Sequence, residues 1–233
     1  MNSIGSPPLD AAGQMGLDEA LLDSVASGSS PGRAALLRFY RWSGPAATLG
    51  YFQPYLEASE ETRVRGMGGV PLVRRPTGGG LVLHDGDVTF SLVFPWPCGT
   101  APQAVYKDLH RSVHLGLKAV GFPTRLWSPG AVPEGGGPSR ACFPDPVPMD
   151  VVTEGGRKVL GGALRRRRGW GLYQGSLRPE ATGADAEEVR RAVARGLAGG
   201  GEPEDVPSPP GVLERGAALA KTRYSTQAWN RRY

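Results

Sequence analysis

The chain has 233 residues and a formal net charge of +5, with 39% hydrophobic and 21% charged residues. That is enough for one domain with a substantial core, and the composition is that of a globular protein rather than a fibrous or disordered one. No stretch approaches the roughly 20 apolar residues of a membrane-spanning helix, and Met1–Asp10 has neither the basic start nor the apolar run of a secretory signal.

Two cysteines, Cys98 and Cys142, make no disulfide framework, so a reduced, cytoplasmic protein is expected. Glycine (35) and proline (22) are abundant, and clusters such as Pro133–Pro138 and Gly199–Gly211 read as surface loops. In chain order, Asp10–Ala26 is predicted helical, with Met15, Leu22 and Val25 near one face and Asp18 and Glu19 on the other. Strands are expected over Ala34–Tyr40 and Ala46–Gly50, a helix over Glu57–Arg65, then strands over Val70–Arg74, Leu81–Leu83 and Val88–Phe94. Pro102–Val120 is the clearest long helix, because Val105, Leu109, Val113, Leu117 and Val120 recur at helical spacing and Gly121 sits where a stop belongs. Ser128–Ser139 reads as loop, followed by Cys142-Phe143. Asp150–Val152, Arg157–Leu164 and Gly169–Leu177 read as strands joined by tight turns, with Arg165–Arg168 in the last turn. Ala186–Leu197 is a helix with acidic residues at its start and arginines further along, as the helix dipole favours, and Val212–Ala220 and Thr226–Arg231 are final helices. No internal repeat is present. Strands and helices alternate irregularly and hairpins are frequent, so the expected fold class is α+β, a single domain over 1–233 with a central mixed, largely antiparallel sheet flanked by helices.

The sharpest local feature is Arg74-Arg75-Pro76-Thr77-Gly78-Gly79-Gly80-Leu81-Val82-Leu83-His84. Three consecutive glycines let backbone approach a ligand closely, their N–H groups can hold an anion, and Arg75 can add a charge-assisted bond. Neither the Gly-Lys-Ser/Thr of a nucleoside-triphosphate loop nor the G-x-G-x-x-G of a dinucleotide site is present. The plain alternative is a flexible loop with two solvated arginines. A second feature is Gly155-Gly156-Arg157-Lys158-Val159-Leu160-Gly161-Gly162-Ala163, a lone lysine at the start of an apolar strand. Its ammonium could meet a carbonyl or phosphate oxygen, or it is an exposed hairpin lysine. Cys142 lies sixteen positions before Lys158 and could face it across adjacent strands, where a neighbouring positive charge favours the thiolate. Cys98 is read as an ordinary cysteine, which is most often small and buried. His110 and His114 stand one turn apart but lack the accompanying glutamate of a metal motif, so both are read as helix-surface residues and no metal site is assigned. Arg165–Arg168 is a short basic run without interleaved aromatics, so nucleic acid is not the expected partner and a solvated turn or a docking patch for an acidic protein fits as well.

Taken in order, these segments resemble the biotin/lipoate ligase superfamily on its lipoate side. Met15–Leu22 resembles its opening helix, and Arg38–Trp42 with Ala47–Gln53 its next strands. Arg74–His84 resembles its Arg-Arg-x-x-Gly-Gly-Gly loop, Gly156–Ala163 its lysine strand, Gln174–Leu177 its His-Gly-Ser/Thr element, and Tyr224–Thr226 with Trp229-Asn230 its C-terminal signature. The resemblance covers about Gln14 to Arg232. Within that family a Cys-Phe pair ahead of the motif lysine is similar to the cysteine-dependent octanoyltransferases. The resemblance then implies Cys142 as nucleophile, taking octanoate from acyl carrier protein as a thioester, and transfer to a lysine of a lipoyl domain or a glycine-cleavage H-type carrier protein. Lys158 would stabilise the Cys142 thiolate and polarise the acyl carbonyl. Arg75, Gly78, Gly79, Gly80, Leu81, Val82, Leu83, His84, Gly161 and Gly162 would line the acyl and carrier-arm site. No cofactor is implied for the transferase; the alternative, a lipoate ligase acting through an acyl-adenylate, would need ATP and Mg²⁺. Many such ligases carry a further C-terminal domain, for which no room is expected after Arg232. A third alternative is a non-catalytic binding module for a carrier protein or nucleic acid. Gln174 in place of the family's histidine, Leu164 in place of a glutamine and Gly162 in place of a serine depart from the pattern.

Overall fold

The computed structural model describes residues 1–28, 34–128, 146–181 and 183–233. The first half carries β1 (Asn2–Ile4), α1 (Ala11–Ala26), β2 (Leu36–Tyr40), β3 (Ala46–Leu49), α2 (Tyr55–Val64), β4 (Leu72–Arg74), β5 (Val82–His84) and β6 (Val88–Pro95). Next come α3 (Pro102–Ala119), β7 (Thr124–Leu126), β8 (Val151–Thr153), β9 (Lys158–Arg167) and β10 (Trp170–Leu177). The remainder is α4 (Ala186–Leu197), β11 (Glu204–Val206), α5 (Val212–Leu219), a π-helical turn over Ala220–Tyr224 and α6 (Gln227–Asn230).

An eight-stranded sheet runs in the order β11-β1-β2-β6-β10-β9-β8-β7. It is parallel only where β1 meets β11 and β2; every other pairing is antiparallel, as the frequent hairpins lead one to expect. Its central strands β6 and β10 are buried almost throughout, because helices cover both faces. On one face lie α1 and α5, whose Met15, Leu21, Leu22 and Leu219 join Val93 and Leu172 of the sheet in one core. On the other, α3 and α4 bring Val113, Leu117, Val189 and Val193 against Phe90, Leu92, Leu160 and Tyr173. A separate three-stranded sheet, β4-β3-β5, packs with α2 over a small core of Ala47, Leu49, Ala58, Leu81 and Leu83.

Three expectations need correcting. Asp18 and Glu19 do not face solvent: α1 is buried nearly all round, and both carboxylates are interior. Asp18 Oδ1 accepts from Arg38 Nη2 (2.5 Å) and Ser91 Oγ (2.6 Å), and Glu19 accepts from Arg223 (2.7 Å) and Tyr224 Oη (2.8 Å), so distant strands and the C-terminal helices supply the partners. The arginine run is not a turn either: Arg165–Arg167 complete β9, and only Arg168 (φ 47°) occupies the turn. Cys98 is exposed in the turn after β6 rather than buried. Among the described residues no helix is long and apolar enough to cross a membrane.

Candidate active site

β4 runs parallel to β3, while β5 runs antiparallel to it, so the connection from Arg75 to Leu81 has to fold back over the end of β3. The crossing point explains two glycines. A Cβ on Gly50 would stand 1.7 Å from the Gly79 carbonyl oxygen, and Gly79 itself has φ 83°, which a side chain would strain. The loop is thereby clamped, with Gly79 and Gly80 left exposed at its crest.

Consecutive residues at the end of β4 point to opposite sides, which gives the two arginines different tasks. Both are buried rather than solvated. Arg74 donates to the carbonyls of Gly50 (2.9 Å), Tyr51 (2.9 Å), Gln53 (2.8 Å) and Asn230 (2.8 Å), pinning the C-terminal segment to the loop. Arg75 turns inward and donates to the carbonyls of Thr48 (3.1 Å) and Gly78 (2.6 Å). Burial pushes its guanidinium down to about 10, still cationic at neutral pH, and no carboxylate pairs with it among the described residues.

The facing wall comes from β9. Lys158 is its first residue, and its ammonium lies 2.9 Å from Asp150 Oδ2 with only 11% of the side chain exposed. It is therefore not the solvated hairpin lysine of the plain reading. Asp150 is wholly buried and is further held by the Val147 N–H (2.9 Å) and the Tyr106 hydroxyl (2.6 Å). Burial, and then Asp150 itself, push that hydroxyl well above its ordinary range, so it remains a donor. His110, expected on a helix surface, is fully buried behind this group. It stacks on Tyr106 at 3.9 Å, lies 2.8 Å from the Tyr173 hydroxyl, and is pushed down to about 4 by burial, so it stays neutral near pH 7. The departure at Gly162 has a physical reason: a Cβ there would sit 2.1 Å from Tyr173 Oη, so Tyr173 fills the space that a serine would occupy.

A third group closes the cavity. His84 lies under Trp42 (4.0 Å between ring centroids), with Nε2 2.9 Å from the Thr48 hydroxyl and Nδ1 2.9 Å from Asp87 Oδ2. Burial raises the Asp87 carboxyl, but His84, Ser176 and Arg178 outweigh it and hold the group below the ordinary range. Gln174, at the position of the family's histidine, donates to Asp18 (2.6 Å) and accepts from Thr77 (2.6 Å), tying the glycine loop to α1.

Together these walls enclose a cavity of about 200 Å³. Arg75, Gly79, Gly80, Leu81, Val82, His84, Lys158, Gly161 and Gly162 all line it. Gly78 and Leu83 do not: Gly78 offers its carbonyl to Arg75, and Leu83 packs into the small core beneath. Cys142 lies outside the described residues, while Val147, five residues on, lines the cavity. Sequence reasoning missed Asp150, Tyr106 and Asp87, which carry no local motif; an acidic residue entering an apolar strand, as Asp150 does before Val151-Val152, was the one available signal. The arginine run is largely consumed by the fold. Arg167 pairs with Asp23 (2.6 Å), Arg165 donates to the Pro76 carbonyl (3.3 Å), and Arg166 covers the Trp96 ring.

Residues 10–199 match the family model described as the lipoyl protein ligase A/B catalytic domain. The octanoyltransferase LipM of Kyrpidia tusciae is 36% identical over 180 residues, which cover 72% of this chain and 61% of the relative. That of Moorella thermoacetica is 38% identical over 172 residues, covering 70% and 59%. The chain thus spans less than two thirds of the curated relatives it matches. Among solved structures, a lipoate-protein ligase A bound with ATP superposes with a TM-score of 0.75 at 23% identity, covering 99% of each chain. The bi-partite lipoate protein ligase of Thermoplasma acidophilum gives 0.74 at 21% identity, covering 99% of this chain and 95% of the other. These two likenesses establish the fold.

Proposed function

The chain belongs to the lipoyl protein ligase A/B catalytic domain family, and from that membership we propose that it is a cytoplasmic octanoyltransferase of protein lipoylation, using Cys142 and Lys158. The observation that carries the reading is the cavity itself: an acyl-sized space with the Lys158 ammonium on one wall and the Arg75 guanidinium on another. The octanoyltransferase names of relatives more than 30% identical support the choice of acyl group.

In the first step the Cys142 thiolate forms a bond to the carbonyl carbon of octanoyl-acyl carrier protein. The carbonyl oxygen gathers charge beside Lys158, the carbon–sulfur bond to the carrier breaks, and the carrier thiolate leaves and takes up a proton. In the second step the amine of a lysine on a lipoyl domain or H-type carrier attacks the same carbon, the bond to Cys142 breaks, and the sulfur departs with the amine's surplus proton. Asp150, itself held by the Tyr106 hydroxyl, fixes the Lys158 ammonium in place before charge develops, which is the pre-organisation that makes such a donor effective. The alkyl chain lies among Leu81, Val82 and Met15, where each buried methylene contributes about 0.8 kcal/mol.

One observation favours a second reading. Among the described residues Arg75 is a buried cation whose partners are the Thr48 and Gly78 carbonyls and the Thr48 hydroxyl, with no carboxylate, and it would equally suit a free acyl carboxylate or the phosphate of the acyl-adenylate made from it with ATP and Mg²⁺. The two part on energy source. The transferase moves octanoate from octanoyl-acyl carrier protein to an apo lipoyl domain without ATP, and releases no pyrophosphate when given free octanoate, ATP and Mg²⁺. Pyrophosphate release with free octanoate or lipoate, undiminished in Cys142→Ala, would assign the ligase instead.

A further inference from the structure

Beside the glycine loop lies a surface that the described residues leave uncovered. Tyr51 follows the Gly50 crossing, and its N–H donates to the Thr77 carbonyl (2.9 Å), so it is fixed to the loop that lines the cavity. From it extends an aromatic platform. Phe52 (73% exposed) and Tyr233 (48% exposed) lie 4.8 and 6.1 Å from the Tyr51 ring, and Leu56 beside them is 80% exposed. Arg232 stacks on Tyr51 (4.9 Å), Trp229 (5.0 Å) and Tyr233 (5.1 Å), and Arg231 on Tyr55 (5.0 Å). Among the described residues neither arginine has a carboxylate partner. Arg74 and Arg165 approach the same rings from beneath, over Tyr233 (5.3 Å) and Tyr51 (5.9 Å). On the adjoining α2, Glu60 and Glu61 are taken up by Arg63 and Arg65, which leaves Glu57 as that helix's other carboxylate.

We propose that this platform of Tyr51, Phe52, Leu56, Arg231, Arg232 and Tyr233 is the docking surface for the acceptor carrier domain, contacting acidic residues around its target lysine. This rests on the transferase reading and adds a location to it. Exposed aromatic and arginine side chains held rigid by stacking are the anchors that protein interfaces favour, and their unneutralised charge selects an acidic partner. The acceptor rather than the donor is chosen because of reach. A lysine side chain is short, so its domain has to seat immediately beside the cavity, whereas a donor's long prosthetic arm lets its carrier dock further off.

The test titrates the full chain with an apo lipoyl domain carrying its unmodified lysine, and reads the dissociation constant at low and high salt. Two variants are compared with the wild type: Arg231→Glu with Arg232→Glu, and, to guard against disturbance of the C-terminal segment, Phe52→Ser with Leu56→Ser at two largely exposed side chains. Each is expected to weaken binding at least about tenfold, a loss of roughly 1.4 kcal/mol, and the arginine variant to flatten the salt dependence. Acylation of each variant by octanoyl N-acetylcysteamine, a small thioester that needs no docking, is expected to match the wild type. Unchanged lipoyl-domain affinity in both variants overturns the proposal, as does a loss confined to affinity for octanoyl-acyl carrier protein. A wild type that binds the lipoyl domain through this platform but is never acylated would sink the transferase reading while leaving the surface in place.

Discussion

In a Lys158→Met protein, octanoyl transfer falls by at least about 10²–10³-fold, the usual consequence of removing one pre-organised donor to a developing oxyanion. Methionine keeps the apolar stem that packs at the start of β9, so the cavity stays filled. The loss of charge is felt on both sides. Towards the cavity the acyl carbonyl has no ammonium beside it. Towards the core, Asp150 keeps, among the described residues, the Tyr106 hydroxyl and the Val147 N–H, and a buried carboxylate stripped of its cation destabilises a protein by about 3–5 kcal/mol. The two effects separate in a Lys158→Met/Asp150→Asn double variant, which regains most of the stability and none of the activity. Steady-state transfer rates beside thermal melts read both, and near-normal turnover in folded Lys158→Met would remove the lysine from the chemistry.

Asp18→Ala acts chiefly on stability. Its carboxylate receives the Arg38 guanidinium, the Ser91 hydroxyl and the Gln174 amide, and Arg38 is itself only 1% exposed. Deleting the acceptor strands a buried cation and two further donors, a loss of about 3–5 kcal/mol, or a melting temperature lower by roughly 10 °C for a chain of this size. Transfer also slows, because Gln174 is the link between α1 and Thr77 of the glycine loop. Denaturant midpoints measure the first effect, and a change below about 1 kcal/mol would show that the interior pair contributes little beyond a hydrophobic replacement.

The elements that sequence periodicity located are those whose burial is one-sided. The α3 and α4 helices have a clear apolar stripe, and both are found within a residue of their expected ends. By contrast the sequence pattern places α1 but puts its two central carboxylates on a solvent face, and both are interior. Nothing local distinguishes a solvated Asp18 from a buried one when the partners, Arg38 and Gln174, lie 20 and 156 residues away. The three-residue strands β1, β7 and β11 carry no pattern of their own; they are strands because neighbours pair with them at the sheet's edges. At the site, the glycine loop and Lys158 were legible because backbone approach and an isolated lysine in an apolar strand are sequence-local features. Tyr106, His110 and Asp150 were not, because only the packing of α3 against β8 and β9 brings them together. Cys142 stands out in the sequence by its distance from Lys158 and by a Cys-Phe pair that resembles the family's, and it lies outside the described residues.

On the transferase reading, acyl transfer passes through a thioester on this chain. Intact-mass spectrometry after incubation with octanoyl-acyl carrier protein tests it most directly. The expected result is an octanoyl adduct on the wild type that hydroxylamine removes, and none on Cys142→Ala. A folded wild-type protein without the adduct, or an adduct that survives in Cys142→Ala, would contradict it.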